Sequence, residues 1–169
     1  MFSYDNDNNE EFLDIISDLL ENNKVKQMKK YRQHGETSTY AHCMNVSYVS
    51  YLVSPKLGLD YKSAARGGML HDMFLYDWRE KRPFRGLLNM HAFTHPRIEL
   101  NNAEKEFKLN DIEKDIIEKH MWPVTLLHKP KYKESYIVTL ADKYCAMGET
   151  GQNVAKQILS ILAKAKENI

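Results

Sequence analysis

Apolar residues recur at three- and four-residue intervals along most of the chain, and this spacing places them on one face of a helix. Glycine and proline are few, with 7 and 5 residues, so long helical segments lie between the points that break them. The pattern predicts helices over eight segments. The first four are 10–20, 24–31, a helix from a cap at Thr37 or Ser38 to about Leu52, and a helix from a cap at Asp60 to the pair His71-Asp72. The last four are a helix from Thr94 to about Phe107 with Pro96 at the first helical position, a helix from a cap at Asn110 or Asp111 to Pro123, 134–147 and 154–165. The predicted fold class is therefore all-α, a helical bundle of roughly eight helices.

Length, charge and cysteine content narrow the functional class. A chain of 169 residues suits one domain, and its net charge of +1 makes no strong case for nucleic acid or an anionic membrane as partner. The first residues, MFSYDNDNNEEFL, lack the basic and apolar regions of a signal peptide, and no apolar run is long enough to span a bilayer. Cys43 and Cys145 form no CxxC motif. We therefore expect a cytoplasmic protein.

Six polar residues of two kinds interrupt or border the apolar patterns: His42, His71, Asp72, His95, His120 and Asp142. Neutral imidazole and carboxylate together suit iron, manganese or zinc, and no thiolate is needed. Six ligands exceed the three or four protein ligands of an ordinary mononuclear site. They suit two metal ions that share one carboxylate.

Each of these residues also has an ordinary structural explanation. A histidine on an apolar face, such as His120, is usually a satisfied core residue, and Asp142 can pair with Lys143 or Arg66. One metal site nevertheless explains all six residues together, because buried charges must be paired or metal-bound. The set therefore predicts a metal site, although no single member does.

The ordered series His42, His71-Asp72 and Asp142 resembles the HD superfamily of metal-dependent phosphohydrolases. The strings LHDM, at the end of a Gly/Ala-rich helix, and LADK, inside a later helix, carry this resemblance, which extends from about Tyr31 to Met147. It implies a single HD domain over residues 1–169, with a core at about 31–147 and N- and C-terminal helices packed on it. HDMFLYDW further resembles strings in a clostridial-type group of small HD proteins.

The additional histidines resemble those of the HD subset with a dinuclear centre. That subset includes HD-GYP phosphodiesterases, diadenosine tetraphosphate hydrolases and a few di-iron oxygenases; the GYP signature is absent, which speaks against cyclic dinucleotides. The resemblance implies two groups of ligands: His42, His71, Asp72 and Asp142 for one ion, and His95 and His120 for the other, with Asp72 bridging. The implied cofactors are two divalent transition metal ions, iron or manganese first, with zinc, nickel and magnesium as alternatives.

The implied function is hydrolysis of a phosphate ester or phosphoanhydride bond, in a nucleotide or another small phosphorylated substrate. A hydroxide that bridges the ions would attack phosphorus, so that Asp72 is catalytic and no separate nucleophile is needed. Two rival functions remain open. A di-iron oxygenase can use the same ligands, and a non-catalytic sensor can bind a nucleotide without turnover.

The segment DWREKRPFRG follows the His71-Asp72 pair and supplies groups for binding phosphate. Guanidinium groups match phosphate bidentately, although a solvated loop is the alternative. We assign substrate binding to Arg79, Arg82, Arg85 and His91. Asp77 is a candidate general acid, or a helix-end cap, and Lys143 is a candidate phosphate contact, or a surface residue. The oligomeric state and the exact substrate stay open.

Overall fold

The computed structural model describes the backbone of residues 9–75, 91–126 and 128–167, and the side chains of 9–75, 96–126 and 128–151. These parts of the chain are all-α, which confirms the predicted fold class. Their α-helices are α1 (Glu10–Ile15), α2 (Ser17–Glu21), α3 (Asn23–Gln27), α4 (Thr39–Val53), α5 (Tyr61–Leu70), α6 (His91–Glu106), α7 (Asp111–Lys119) and α8 (Lys133–Glu167). Two short strands, β1 (Arg32–His34) and β2 (Thr37–Ser38), pair antiparallel before α4. None of the described helices is suited to cross a membrane.

Side-chain caps at predicted positions begin the helices that carry the site. The Ser38 hydroxyl accepts a hydrogen bond from the backbone of Ala41 at the start of α4, and the Asp60 carboxylate caps α5. At α7, Asn110 forms a capping box with Glu113. Such caps satisfy backbone N–H groups that have no partner inside the helix. Local sequence therefore determines where α4, α5 and α7 begin.

The first predicted helix is divided in two. Ile16 leaves the helical conformation, with φ −110° and ψ 10°, between α1 and α2. The Ser17 hydroxyl donates to the backbone oxygen of Asp14 at 2.9 Å. Such local bonds compete with helix hydrogen bonding, and Ile16 remains fully buried, so the break redirects the chain without exposing its apolar face. The second predicted helix is α3 followed by a single 3-10 turn, Met28–Lys30.

Two predicted helix boundaries near the site were wrong. α6 begins at His91, so Pro96 lies inside this helix instead of at its first position. Its ring removes one backbone hydrogen bond, a loss offset by packing of the later turns, where Ala103 is fully buried. α7 ends at Lys119, four residues before Pro123, because proline has no N–H to donate to the backbone oxygen four residues earlier.

α8 is one continuous helix where two were predicted. Gly148 and Gly151 fall between the two predicted helices, 134–147 and 154–165, but both lie within the helix Lys133–Glu167. A glycine inside a helix costs about 1 kcal/mol relative to alanine, and it ends a helix only where the backbone must turn. The continuous helix brings Glu149, between the two glycines, to a buried position.

The centre of the fold is the close contact between α4 and α5. A Cβ atom added to Gly68 would lie 3.0 Å from the Cα of Ser47. The Ser47 hydroxyl also donates to the backbone oxygen of Ala65 at 2.7 Å. Apolar side chains surround this contact, in one cluster built around Phe12, Met28, Met69 and Leu70 and a second around Val46, Ile116 and Val138.

Arg66 connects α5 to the helices around it. Its guanidinium binds the carboxylate of Asp18 at 2.5 and 2.9 Å, and its Nε donates to Glu113 at 2.8 Å. Arg66 therefore forms ion pairs with carboxylates of α2 and α7. The interpretation that Arg66 neutralises Asp142 is wrong.

Candidate metal centre

Four helices bring five of the six predicted ligands to one place. His42 lies in the first turn of α4, His71 and Asp72 directly follow α5, His120 directly follows α7, and Asp142 lies in α8. His42, His71 and His120 are at most 1% exposed and Asp72 is 3% exposed. Residues separated by up to a hundred positions thus share one buried space. The sixth residue, His95, is in α6, and its side chain is outside the described part of the chain.

The Nε2 atoms of His42 and His71 face two carboxylates. Asp142 Oδ1 lies 3.1 Å from His42 Nε2 and 3.8 Å from His71 Nε2. Asp72 Oδ2 lies 3.9 and 3.4 Å from the same two nitrogens. Among the described residues, His71 Nε2 has no hydrogen-bond partner although it is buried. A buried ring nitrogen without a partner needs an explanation, and a metal ion bound there would supply one.

The three predicted ligand histidines whose side chains are described are oriented in the same way, by their Nδ1 atoms. His71 Nδ1 lies 2.8 Å from the backbone oxygen of Gly68, and His120 Nδ1 lies 2.9 Å from that of Ile117. Both histidines stand at the C-cap of a helix, where backbone oxygens need donors. His42 Nδ1 lies 3.0 Å from the carboxylate of Glu149. Because these oxygens can only accept, each Nδ1 carries the hydrogen, and each Nε2 points to the centre.

Asp72 faces the histidines with both of its oxygens. Oδ2 lies on the side of His42 and His71, whereas Oδ1 lies 3.5 Å from His120 Nε2. The side-chain amide of Gln33 donates a short hydrogen bond to Oδ2. The two oxygens of this carboxylate thus serve two different groups of nitrogens, which is the arrangement that a shared carboxylate requires.

The electrostatics of the cluster favour a cation. Burial alone would lower the pKa of His42, but hydrogen bonds with Asp142 and Glu149 raise it to about 10. Burial likewise opposes the charged form of His71, and the charge of Asp72 raises its pKa well above the ordinary value. Burial would raise the pKa of Asp142, whereas the imidazoles of His42 and His71 beside it lower it well below the usual range. The carboxylates therefore hold positive charge in this space, as protons or as a metal ion.

Lys143 lies at the edge of the cluster. Its Nζ is 3.2 Å from Asp142 Oδ2 and donates to the backbone oxygen of His120 at 3.4 Å, with 38% of the side chain exposed. The pairing of Asp142 with Lys143 is thus present, but it uses only Oδ2 and leaves Oδ1 to the histidines. The other predicted substrate and acid groups lie outside the described side chains: Asp77, Arg79, Arg82, Arg85 and His91.

Sequence reasoning missed two buried carboxylates, Glu149 and Glu99. Glu149 binds His42 Nδ1 and accepts from Asn45 at 3.2 Å; it lies one helical turn after Cys145, a buried apolar position. Glu99, on α6, is fully buried, one turn before buried Ala103. A burial pattern at four-residue spacing could have marked both positions as buried, although it does not show that they reach the cluster. Burial and the charge of Asp72 raise the pKa of Glu99 well above its ordinary value.

Two residues of strand β1, before α4, also reach the site. Gln33 contacts Asp72 as described above, and the ring of His34 meets that of His42 edge-on, with centroids 5.1 Å apart. Short strands of two or three residues leave little periodicity to detect, so the sequence offered only Gly35 as a turn signal.

Comparison with known proteins identifies one matching family and two similar proteins. A family model described as HD domain matches residues 39–147. Ribonuclease Y of Finegoldia magna is 31% identical over 124 residues, which cover 73% of this chain and 21% of that protein. Ribonuclease Y 2 of Bdellovibrio bacteriovorus is 38% identical over 55 residues, which cover 31% of this chain and 10% of that protein. The alignments thus span about a fifth or less of these curated relatives, and no solved structure matches.

Proposed function

Since the chain belongs to the HD domain family of metal-dependent phosphohydrolases, we propose that it binds two divalent ions in this cluster and hydrolyses a small phosphorylated substrate. The proposed bond is a phosphate ester or phosphoanhydride, and the proposed substrate class is nucleotides. In this proposal, residues of about 31–147 form the HD core, the helices on either side pack on it, and the protein works in the cytoplasm.

The common orientation of the three imidazoles is the observation that supports metal binding best. Each Nδ1 is held by a backbone oxygen or a carboxylate, and each Nε2 faces Asp72 or Asp142. A hydrogen bond at the second ring nitrogen is the usual way in which proteins orient a metal-binding histidine. If these histidines were only hydrogen-bonded core residues, the two buried carboxylates beside their Nε2 atoms would have no structural explanation.

The spacing of the donor atoms fits one ion between His42, His71 and the carboxylates. Two ligand atoms that bind one ion at about 2.1 Å lie roughly 3.0–3.4 Å apart at common coordination angles. The nitrogen–oxygen distances here are 3.1, 3.4, 3.8 and 3.9 Å. The cluster therefore needs only small side-chain movements to bind an ion. His120, with His95 as a further proposed ligand, would hold the second ion on the other side of Asp72.

When bound, two divalent ions lower the pKa of a water molecule and neutralise charge on phosphoryl oxygens. The residues of the chain then supply orientation and further positive charge. Lys143, half-exposed beside Asp142, is proposed to contact a phosphate oxygen. Arg79, Arg82, Arg85 and His91 are proposed to bind the remaining phosphates, and Asp77 to donate a proton to the leaving group.

The test is metal analysis of the purified protein, followed by assays with manganese or iron. Substrates would be nucleotides, a generic phosphodiester and, because the curated relatives are named ribonucleases, a short RNA. We expect phosphate or nucleotide release that His42→Ala abolishes and that His128→Ala, which changes an exposed histidine, leaves unchanged. Oxygen consumption by an iron-loaded protein without phosphate release would identify an oxygenase. Tight nucleotide binding without turnover would identify a sensor.

A further inference from the structure

Glu99 is a buried carboxyl group that the predicted ligand series does not include. Its side chain is 0% exposed, and neither carboxylate oxygen has a hydrogen-bond partner among the described residues. Burying an unpartnered polar group costs free energy, and burying an ionised one costs far more unless a cation is near. The position of Glu99 therefore needs an explanation other than packing.

The surroundings of Glu99 supply the explanation. One ligand atom from each of Glu99, Asp72 and His120 lies within 4.8 Å of the other two. Asp72 Oδ1, the oxygen turned away from His42 and His71, is 3.5 Å from His120 Nε2. Glu99 is thus on the side of Asp72 where the second ion is proposed. His95, the further proposed ligand of that ion, precedes Glu99 by four positions in the sequence of α6.

We propose that Glu99 is a carboxylate ligand of the second metal ion, beside His120 and the shared Asp72. This inference rests on the proposed two-metal function. A second carboxylate gives this position more negative charge and more oxygen donors than the imidazoles and Asp72 alone. Oxygen donors suit harder ions, so Glu99 should reduce the general advantage in affinity that zinc has over manganese and iron at the second position.

The decisive variant is Glu99→Gln, which keeps the shape of the side chain and removes its charge. Metal-free protein would be titrated with Mn²⁺ in a calorimeter, with bound Mn²⁺ counted independently by electron paramagnetic resonance. We expect two equivalents in the wild type. In Glu99→Gln the affinity for the first equivalent is unchanged, and that for the second falls at least about tenfold. Glu104→Gln, on the same helix but 41% exposed, is the matched control and binds as the wild type does.

The same titration separates the two ways of failing. Two equivalents in the wild type and unchanged affinities in Glu99→Gln would mean that Glu99 is a neutral structural acid, which overturns this inference and leaves the proposed function intact. One equivalent or none in the wild type would overturn both. Should Glu99→Gln fail to fold by circular dichroism, Glu99→Asp keeps the charge on a shorter side chain. We then expect a weakened second equivalent and an unchanged first, and two unchanged affinities would contradict the inference.

Discussion

Asp72 is the residue on which both parts of the proposed centre depend. Its Oδ2 faces His42 and His71, and its Oδ1 faces His120. The other proposed ligands each serve one ion only. For single residues, the two-metal proposal therefore predicts that loss of Asp72 affects the binding of both ions, whereas loss of any other ligand affects one.

We expect Asp72→Ala to remove both ions, because the change deletes the one group that touches both. Elemental analysis after gel filtration would show fewer than one ion per chain, against two in the wild type. Asp14→Asn, an exposed carboxylate on α1, is the control and keeps both ions. Retention of two ions by Asp72→Ala would refute the shared-carboxylate arrangement.

Glu149 is predicted to act on the first ion through His42. In Glu149→Gln the neutral amide replaces the carboxylate that lies 3.0 Å from Nδ1, so the imidazole becomes a weaker base and its orientation loosens. Loss of a hydrogen-bond partner of a metal-binding histidine typically lowers metal affinity by about 10–100-fold. In a Mn²⁺ titration we expect that loss at the first equivalent only, the reverse of the Glu99→Gln pattern. Equal metal affinities in Glu149→Gln and the wild type would show that Glu149 does not contribute to metal binding.

At the scale of elements, the close approach of α4 and α5 positions His42 against His71 and Asp72. Gly68 makes this approach possible, since a Cβ there would meet the backbone of Ser47 at 3.0 and 3.2 Å. The same residue also provides the backbone oxygen that orients His71. Packing of the two helices and orientation of a proposed ligand therefore depend on one glycine.

We expect Gly68→Ala to destabilise the fold by about 1–3 kcal/mol, because a backbone neighbour cannot move as a side-chain end can. Gly151→Ala, where a Cβ meets nothing within 4 Å, should instead stabilise α8 by up to about 1 kcal/mol. Urea unfolding of both variants gives the comparison. A Gly68→Ala protein as stable as the wild type would mean that α4 and α5 separate without cost.

For the whole molecule, the cluster couples stability to pH. Burial opposes the charged form of His42, yet Asp142 and Glu149 raise its pKa from 6.5 to about 10 in the folded, metal-free chain. A raised histidine pKa stabilises the fold fully below pH 6.5, and this contribution is lost as the pH rises toward 10. The loss is at most about 1.4 kcal/mol per pH unit for one proton.

The Tm of the metal-free protein should therefore fall over this range, as followed by circular dichroism in the presence of a chelator. His42→Gln should show a shallower fall, because it lacks the titrating group. Metal affinity has the opposite dependence and should rise with pH, since the ion must displace the proton. A metal-free Tm that is constant or rises between these pH values would contradict the electrostatic account of the cluster.

Metal binding should also stabilise the entire chain, because its proposed ligands come from α4, α6 and α8 and from the ends of α5 and α7, which are far apart in an unfolded chain. An ion at 100 times its dissociation constant contributes about 2.7 kcal/mol per site. For a protein of this size that is a rise in Tm of roughly 5–10 °C. The chelator should reverse it, and Asp72→Ala should show no such rise. An equal rise in Asp72→Ala would place the bound ions elsewhere.

The sequence by itself determined what is local or carried by residue type. Helical periodicity identified the all-α class, cap residues such as Ser38, Asp60 and Asn110 placed helix starts, and the unusual imidazoles and carboxylates in apolar patterns identified candidate ligands. The tertiary structure decided what depends on distance. It showed that α8 continues through its glycines, that Arg66 binds other carboxylates, and that Glu149 and Glu99 reach the cluster. Such contacts arise from how helices pack against each other, and no short-range preference along the chain encodes them.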